Sequence, residues 1–153
     1  MTTESVSPLN PDEEDAWRAL TYVANHLTKS LGEDLARSAS ISIPEYVVLV
    51  HLSEADQQQL RIGDLAAVAG LSPSRMSRLV DQMERHGMVT KHQQASDARC
   101  SYAELTDQGL VALQEAYPKQ LHNVRRRVFD HLTAREVKVL GEALSKIRTG
   151  IDL

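Results

Sequence analysis

Apolar residues recur every three or four positions in several stretches of the chain, which is the spacing of one buried face on an α-helix. The first stretch follows Asn10-Pro11, a helix cap with proline at the first helical position. It predicts a helix over about residues 11–38, after a loose tail at 1–10. The last stretch follows a capping box at Thr133 and Glu136 and predicts a final helix with one apolar side. That side holds Val137, Leu140, Leu144, Ile147 and Ile151.

The middle of the chain predicts a helix-turn-helix. Ser42 and Glu45 form a capping box before a short run that is apolar nearly all round, so we expect a buried helix there. A brief strand at 60–62 and an alanine-rich helix at 64–69 follow. Gly70 can end that helix in the left-handed conformation, and Ser72-Pro73 starts the next one. Its inner face is Met76, Leu79, Val80 and Met83.

Residues 88–105 change period and predict two strands joined by a polar tip at 93–99, a β-hairpin with a loop longer than two residues. Thr106 then caps a long helix to about His131, with a kink expected at Pro118. The Arg125-Arg126-Arg127 run lies in its second half. We favour ion pairs within the chain or at a dimer interface for it, because consecutive helical residues point in different directions. The fold class is mainly α with a small β-hairpin (α+β), in one domain.

Composition and charge narrow the function. The chain has 153 residues, a net charge of −4 and one cysteine, Cys100, so it holds no internal disulfide. No apolar run approaches the ~18 residues of a membrane span, and the polar amino end is no secretory signal, so we expect a cytoplasmic protein. Residues 61–99 carry six bases against four acids, unlike the acidic amino-terminal part. This basic middle can attract phosphates locally despite the overall charge.

The predicted helix-turn-helix and hairpin together indicate a winged helix. The second helix of such a pair enters the major groove of DNA, where serines allow close approach and arginines pair with guanine edges or phosphates. Ser72, Ser74 and Ser77 provide the small polar residues, and Arg75 and Arg78 provide the guanidinium groups. Alone, each of these residues is more often a cap or part of a solvated face. When the same residues occur on the second helix of a helix-turn-helix that is followed by a hairpin, the combination favours DNA binding.

The order of these parts resembles the MarR family of bacterial transcriptional regulators. The resemblance spans about residues 12–150 and is carried by Arg61–Ala66, Leu71–Asp81, Gly87–Val89, Ser96–Arg99 and Leu105–Gly109. It implies a winged helix-turn-helix lobe at 42–105 and dimerisation helices at 11–38 and 107–150. It also implies a homodimer, a palindromic double-stranded DNA operator, repression as the usual mode, and relief by a small effector or an oxidant.

By position, the resemblance implies that Ser72, Ser74, Arg75, Ser77 and Arg78 face the major groove. Arg99 at the hairpin tip would enter the minor groove, with Asp97 holding the turn or orienting that arginine. Lys91 stands where the family often has arginine, and we include it among the DNA contacts.

The resemblance also places an effector pocket between the dimer helices and the DNA-binding lobe. The corresponding helices hold six ring-bearing candidates for a small aromatic or phenolic effector, although the aromatic ones serve equally well as core anchors. These candidates are Trp17, Tyr22, His26, Tyr46, His51 and Tyr117.

Other function classes have little support. The six histidines show no i, i+4 pair and no Cys-x-x-Cys exists, so we expect no metal and no cofactor, leaving only a site shared between two copies open. The peroxide-sensing branch of the resembling family uses a cysteine near the first helix, and this chain has none there. Cys100 is more simply a small strand residue than a sensor thiol. No phosphate loop or nucleophile motif indicates an enzyme. The alternative is a winged-helix protein-interaction module that does not bind DNA.

Overall fold

The computed structural model describes residues 7–94 and 97–151, with the side chains of 94 and 97–100 left outside that description. These residues form six helices and three strands, with single 3₁₀ turns at Asp56–Gln58 and Phe129–His131. The elements are α1 (Pro11–Ala39), α2 (Ile43–Glu54), β1 (Gln59–Arg61), α3 (Ile62–Val68), α4 (Pro73–Arg85), β2 (Val89–Gln94), β3 (Asp97–Leu105), α5 (Asp107–Arg127) and α6 (Ala134–Ile151).

The predicted starts of α1 and α2 are confirmed by their caps, whereas α3, predicted over 64–69, begins at Ile62 without a side-chain cap. The Asn10 side chain accepts from the Glu13 N–H at 2.9 Å, and the Glu13 carboxylate accepts from the Asn10 N–H at 2.9 Å. Ser42 and Glu45 form the same reciprocal box before α2. Each cap satisfies backbone donors that the first turn of a helix leaves without a partner. These local signals therefore fix where the helices begin.

The core lies between α2, α3, α4 and the hairpin. Its largest fully buried side chains come mostly from these elements, with Leu35 added from α1. Leu113 and Ala116 cover it from α5. The predicted inner face of α4 is confirmed, with Met76, Val80 and Met83 fully buried and Leu79 packed at the edge.

The three strands form one antiparallel sheet in the order β1-β3-β2. The predicted hairpin is confirmed, but the predicted long tip is wrong, because β2 reaches Gln94 and β3 begins at Asp97. Backbone pairing continues to Gln94 opposite Asp97, across an irregularity after Gln93. The longer loop was predicted because residues 93–99 are polar and charged, but strand pairing satisfies backbone groups whatever the side chains are.

The long helix α5 is shorter than predicted. It stays one helix across Pro118, and it ends at Arg127 rather than at His131. Val128 leaves the helical region with φ −126° and ψ −66°, and a 3₁₀ turn follows. Proline removes a single backbone donor, and the residues on both sides of it remain helical.

The arginine run is tied to α1 through Asp34, which is only 6% exposed. Arg127 donates to both oxygens of Asp34, from Nε at 2.8 Å and from Nη2 at 3.1 Å. Arg126 donates at 2.9 Å, and Arg37 donates from within α1. The expectation of ion pairs within the chain is thus confirmed for Arg126 and Arg127.

Two helices leave apolar faces uncovered. No residue of α6 is buried, and its predicted stripe is exposed from Leu140 to Ile151. On α1, Trp17 is 59% exposed and Tyr22 is 65% exposed. Within residues 7–94 and 97–151, no helix has the length and hydropathy needed to cross a membrane.

Candidate nucleic-acid interface

Helix α4 has one face in the core and one face in solvent. The buried methionines and Val80 hold the inner face, while Ser72, Ser74, Arg75 and Arg78 are exposed on the outside. No acidic residue lies in the first turn of α4. The helix therefore presents its partly positive amino end together with two guanidinium groups, and this combination favours phosphate oxygens and the acceptor edges of bases.

The amino end of α4 is held in shape by short-range contacts. The Ser72 hydroxyl accepts from the Arg75 N–H at 3.4 Å and lies 3.3 Å from the Ser74 hydroxyl. The Arg78 Nε donates to the Ser74 carbonyl at 3.4 Å. These contacts keep the small residues at the helix start, where a backbone or groove edge can come close.

Ser77 and Lys91 are brought together, although they are 14 residues apart. The Lys91 ammonium donates to the Ser77 hydroxyl at 3.2 Å and to an Asp81 carboxylate oxygen at 2.7 Å. Ser77 and Lys91 are only partly exposed, and the Lys91 side chain lies against α4. Sequence reasoning assigned Lys91 to DNA and missed Asp81 as its partner. Opposite charges ten residues apart gave no local signal for this pair.

The hairpin β2–β3, the wing, leaves α4 through a turn fixed to the start of α5. Gly87 takes a left-handed φ of +71°, and its carbonyl accepts from the Thr106 hydroxyl at 2.6 Å. The Gln108 amide donates to the His86 carbonyl at 3.0 Å. Asp97 and Arg99 lie in β3, and their predicted roles fall on side chains outside the described part of the structure. The wing thus begins beside the exposed face of α4.

Comparison with known proteins places this arrangement in a family. The family model described as MarR family matches residues 41–101. A MarR family transcriptional regulator from Streptomyces coelicolor, Sco3205, solved in complex with DNA, is 33% identical, with 97% of this chain and 92% of that chain covered and a TM-score of 0.88. The chain belongs to the MarR family.

Two further MarR relatives agree. The regulator AbsC from Streptomyces coelicolor is 31% identical, covering 96% of this chain and 99% of that one, with a TM-score of 0.86. The transcriptional repressor MprA of Escherichia coli strain K12 is 24% identical over 87% of this chain and 77% of its own length. The chain is therefore a transcriptional regulator with a winged-helix DNA-binding fold, as the sequence predicted.

Four of the six predicted effector residues of this MarR protein form two pairs. Tyr22 stacks on His26 with ring centroids 4.1 Å apart, on the exposed side of α1. Tyr46 on α2 lies near Tyr117 on α5, and burial, with the Tyr117 and Glu54 charges adding, raises the pKa of Tyr46. The other two candidates are the exposed Trp17, earlier on α1, and the half-buried His51 on α2.

Two grooves run between α1 and α6. One has a volume of about 420 Å³ and contains Trp17 and Leu144. The other has a volume of about 670 Å³ and contains Tyr22, His26 and Leu144, with Arg127 and His131 from the other side. Sequence reasoning missed Arg127 and His131 here. The apolar stripe of α6 was the one sequence signal for these grooves, because no other predicted element was expected to cover that stripe.

Across the described ranges, 7–94 and 97–151, no three side chains of histidine, cysteine, aspartate or glutamate gather closely enough to hold a metal ion. Polar atoms of Gln120 and Asn123 are buried without a hydrogen-bond partner on the inner side of α5. The chemistry of the described surface is therefore that of hydrogen bonding and charge at α4 and of apolar contact at α1 and α6.

Proposed function

We propose that this MarR protein is a cytoplasmic homodimer that represses a promoter by binding a palindromic operator. The exposed face of α4 carries the proposal. Ser72, Ser74, Arg75 and Arg78 stand out from a helix whose other face is locked into the core. Such a helix can lie in the major groove without rearranging the protein, with arginines reading guanine edges or holding phosphates.

The wing adds a second contact on the same duplex. Arg99 enters the minor groove, where narrow A·T-rich segments concentrate negative potential, and Asp97 orients the turn. This assignment is carried over from the resemblance of Ser96–Arg99 to the wing of the MarR family, and both residues belong to β3.

The uncovered faces of α1 and α6 support the dimer. Leu140, Leu144, Ile147 and Ile151 are all exposed, as are Trp17 and Tyr22 across the grooves. An apolar surface of this kind is typical of a protein interface. A two-fold dimer places two α4 helices on half-sites about one helical turn apart, ~34–36 Å.

Release by a small aromatic or phenolic effector completes the proposal. Relief by a ligand is typical of the family. An effector acts by binding one spacing of the two α4 helices more tightly than the other. The pair Tyr46 and Tyr117 offers aromatic contact and two hydroxyl groups for hydrogen bonding.

DNA selection followed by arginine variants tests this function. The wild-type protein is used to select duplexes from a randomised pool, and the recovered duplex serves for all variants. We expect Arg75→Ala, Arg78→Ala and Arg99→Ala each to weaken binding by roughly 10- to 100-fold, since a bidentate base contact is worth about 1–3 kcal/mol. Arg135→Ala on α6 makes the same charge change away from α4 and serves as the control.

The same assay separates the alternative. A protein-interaction module would enrich no duplex from the pool, and its arginine variants would behave like the control. Equal affinity of Arg78→Ala, Arg99→Ala and the control for a selected duplex would contradict the docking proposed here.

A further inference from the structure

Lys91 connects the wing to α4 through three contacts. Its ammonium donates to Asp81 at 2.7 Å and to Ser77 at 3.2 Å, and its backbone N–H donates to a Glu84 carboxylate oxygen at 2.7 Å. Ser77, Asp81 and Glu84 are spaced i, i+4 and i+7, so they form one row along the helix. Lys91 of β2 thus contacts three positions, about one helical turn apart, along α4.

The backbone contact meets a need of the sheet. β2 is an edge strand, since the order of the sheet is β1-β3-β2. Edge strands leave alternate N–H groups without a strand partner. Glu84 accepts one of these groups, so the edge of the wing nearest α4 is covered by the helix itself.

The side-chain contact uses most of the capacity of the ammonium. An ammonium has three donors, and two of them are taken by Asp81 and Ser77. The Lys91 side chain is 26% exposed, whereas Arg75 and Arg78 of α4 belong to the exposed class. Its charge is balanced by the Asp81 carboxylate rather than left available to a phosphate.

We propose that Lys91 is a positioning residue, which fixes the angle between the wing and α4 and orients the Ser77 hydroxyl. This inference rests on the proposed DNA-binding function, and it replaces the expectation that Lys91 contacts DNA. The wing and α4 must meet two grooves of one duplex at the same time, so their relative angle decides whether both fit. Asp81 shares this positioning role as the ion-pair partner of Lys91, although its negative charge by itself repels phosphates.

The sign of the Asp81→Ala effect tests the proposal. If Lys91 positions the wing, then Asp81→Ala and Lys91→Met each weaken binding to the selected duplex, by roughly fivefold or more. If Lys91 contacts a phosphate, Asp81→Ala leaves binding unchanged or tighter, because it removes a negative charge near the duplex. Asp64→Ala on α3 removes one negative charge from the same lobe without touching the wing, and it is the matched control.

The salt dependence of binding gives a second readout. Each lost phosphate contact lowers the slope of log K against log[salt] by about 0.9. We expect Lys91→Met to keep the wild-type slope while affinity falls, and Lys91→Arg to restore affinity. A slope reduced by about one unit in Lys91→Met, or unchanged affinity in both Lys91→Met and Asp81→Ala, would overturn the proposal.

Hydrogen exchange on the free protein separates this proposal from the function itself. We expect Lys91→Met and Asp81→Ala to speed amide exchange in β2, with α2 unaffected as the internal reference. Exchange in β2 at the wild-type rate in both variants would refute the connection between wing and helix. If the wild-type protein selects no duplex while exchange responds, the connection stands, and both the proposed function and its positioning role on DNA fail.

Discussion

The Asp34 carboxylate is surrounded by Arg127, Arg126 and Arg37, with its side chain 5% exposed. Hydrogen bonds from Arg127, then from Arg37, and the charges of Arg127 and Arg126 lower its pKa from 3.8 to about 2, against the opposing effect of burial. Because the folded pKa lies below the unfolded one, this group stabilises the fold above pH 3.8, and its contribution is lost as pH falls toward 2. The shift corresponds to about 2 kcal/mol.

We expect Asp34→Asn to lower the free energy of unfolding by about 2 kcal/mol at pH 6. The gap between wild type and variant should shrink by roughly half at pH 3, because the wild-type carboxylate is then losing its advantage. Urea unfolding at fixed protein concentration over pH 6 to 3 measures this. Asp15→Asn, an exposed acid of the same helix, is the control. If the difference in unfolding free energy between wild type and variant stays constant with pH, the charge of Asp34 is not what stabilises the fold.

At this scale the sequence predicted the residues whose role is local. The caps at Asn10, Ser42, Ser72 and Thr106 depend on neighbours three or four positions away, so the pattern contains both partners. Asp34 and the arginines are over 90 positions apart. Which acid meets which base over such a distance is decided by the packing of α1 on α5, which no local pattern describes.

The junction between wing and α5 depends on close backbone approach. A Cβ on Gly109 would lie 2.0 Å from the Met88 carbonyl oxygen and 2.8 Å from a Leu105 methyl carbon. The Leu105 methyl group can turn away, but the Met88 carbonyl oxygen is backbone and cannot move without shifting the turn after α4. Glycine at this position therefore lets the first turn of α5 lie directly on the base of the wing.

We expect Gly109→Ala to destabilise the fold by about 2 kcal/mol or more. Inside a helix alanine is normally more stable than glycine by about 1 kcal/mol, so the expected loss is opposite to the helix propensity. Thermal unfolding of the variant measures the loss. Gly141→Ala on α6, where the new methyl group meets nothing within 4 Å, should be neutral or stabilising. Equal stability of the two variants would mean that the junction relaxes freely.

Element existence was predictable from the sequence, and some element ends were not. The starts of α1, α2, α4, α5 and α6 were found because caps mark them, while the start of α3, the end of α5 at Arg127 and the extension of β2 and β3 toward the tip carry no comparable signal. These ends are set by backbone pairing and by the packing of neighbouring elements. The predicted effector residues were assigned by helix membership, which alone does not say which helical faces meet.

At the scale of the whole molecule, the exposed faces of α1 and α6 are the basis of the proposed dimer. Leu144 borders both grooves between these helices. A charge at this position would be buried without a partner when a second copy covers the grooves, which costs several kcal/mol. The fold of the DNA-binding lobe, whose core lies elsewhere, should be unaffected.

We therefore expect Leu144→Glu to be mainly monomeric in sedimentation velocity and to lose most of its affinity for the selected duplex. Val111→Glu, a similarly exposed apolar residue on α5 that borders neither groove, should leave assembly unchanged. A Leu144→Glu protein that sediments as a dimer would place the interface elsewhere on the molecule.

The Asp34 cluster also bears on how such a dimer could change shape. Arg126 and Arg127 are the last residues of α5, and Asp34 lies one residue before Leu35, which belongs to the core. Sliding α1 along α5 would break these charge-assisted bonds, whereas tilting the whole protomer would leave all of them intact. In the proposed dimer, rigid rotation of each subunit would therefore change the distance between the two α4 helices while keeping every bond of the Asp34 cluster.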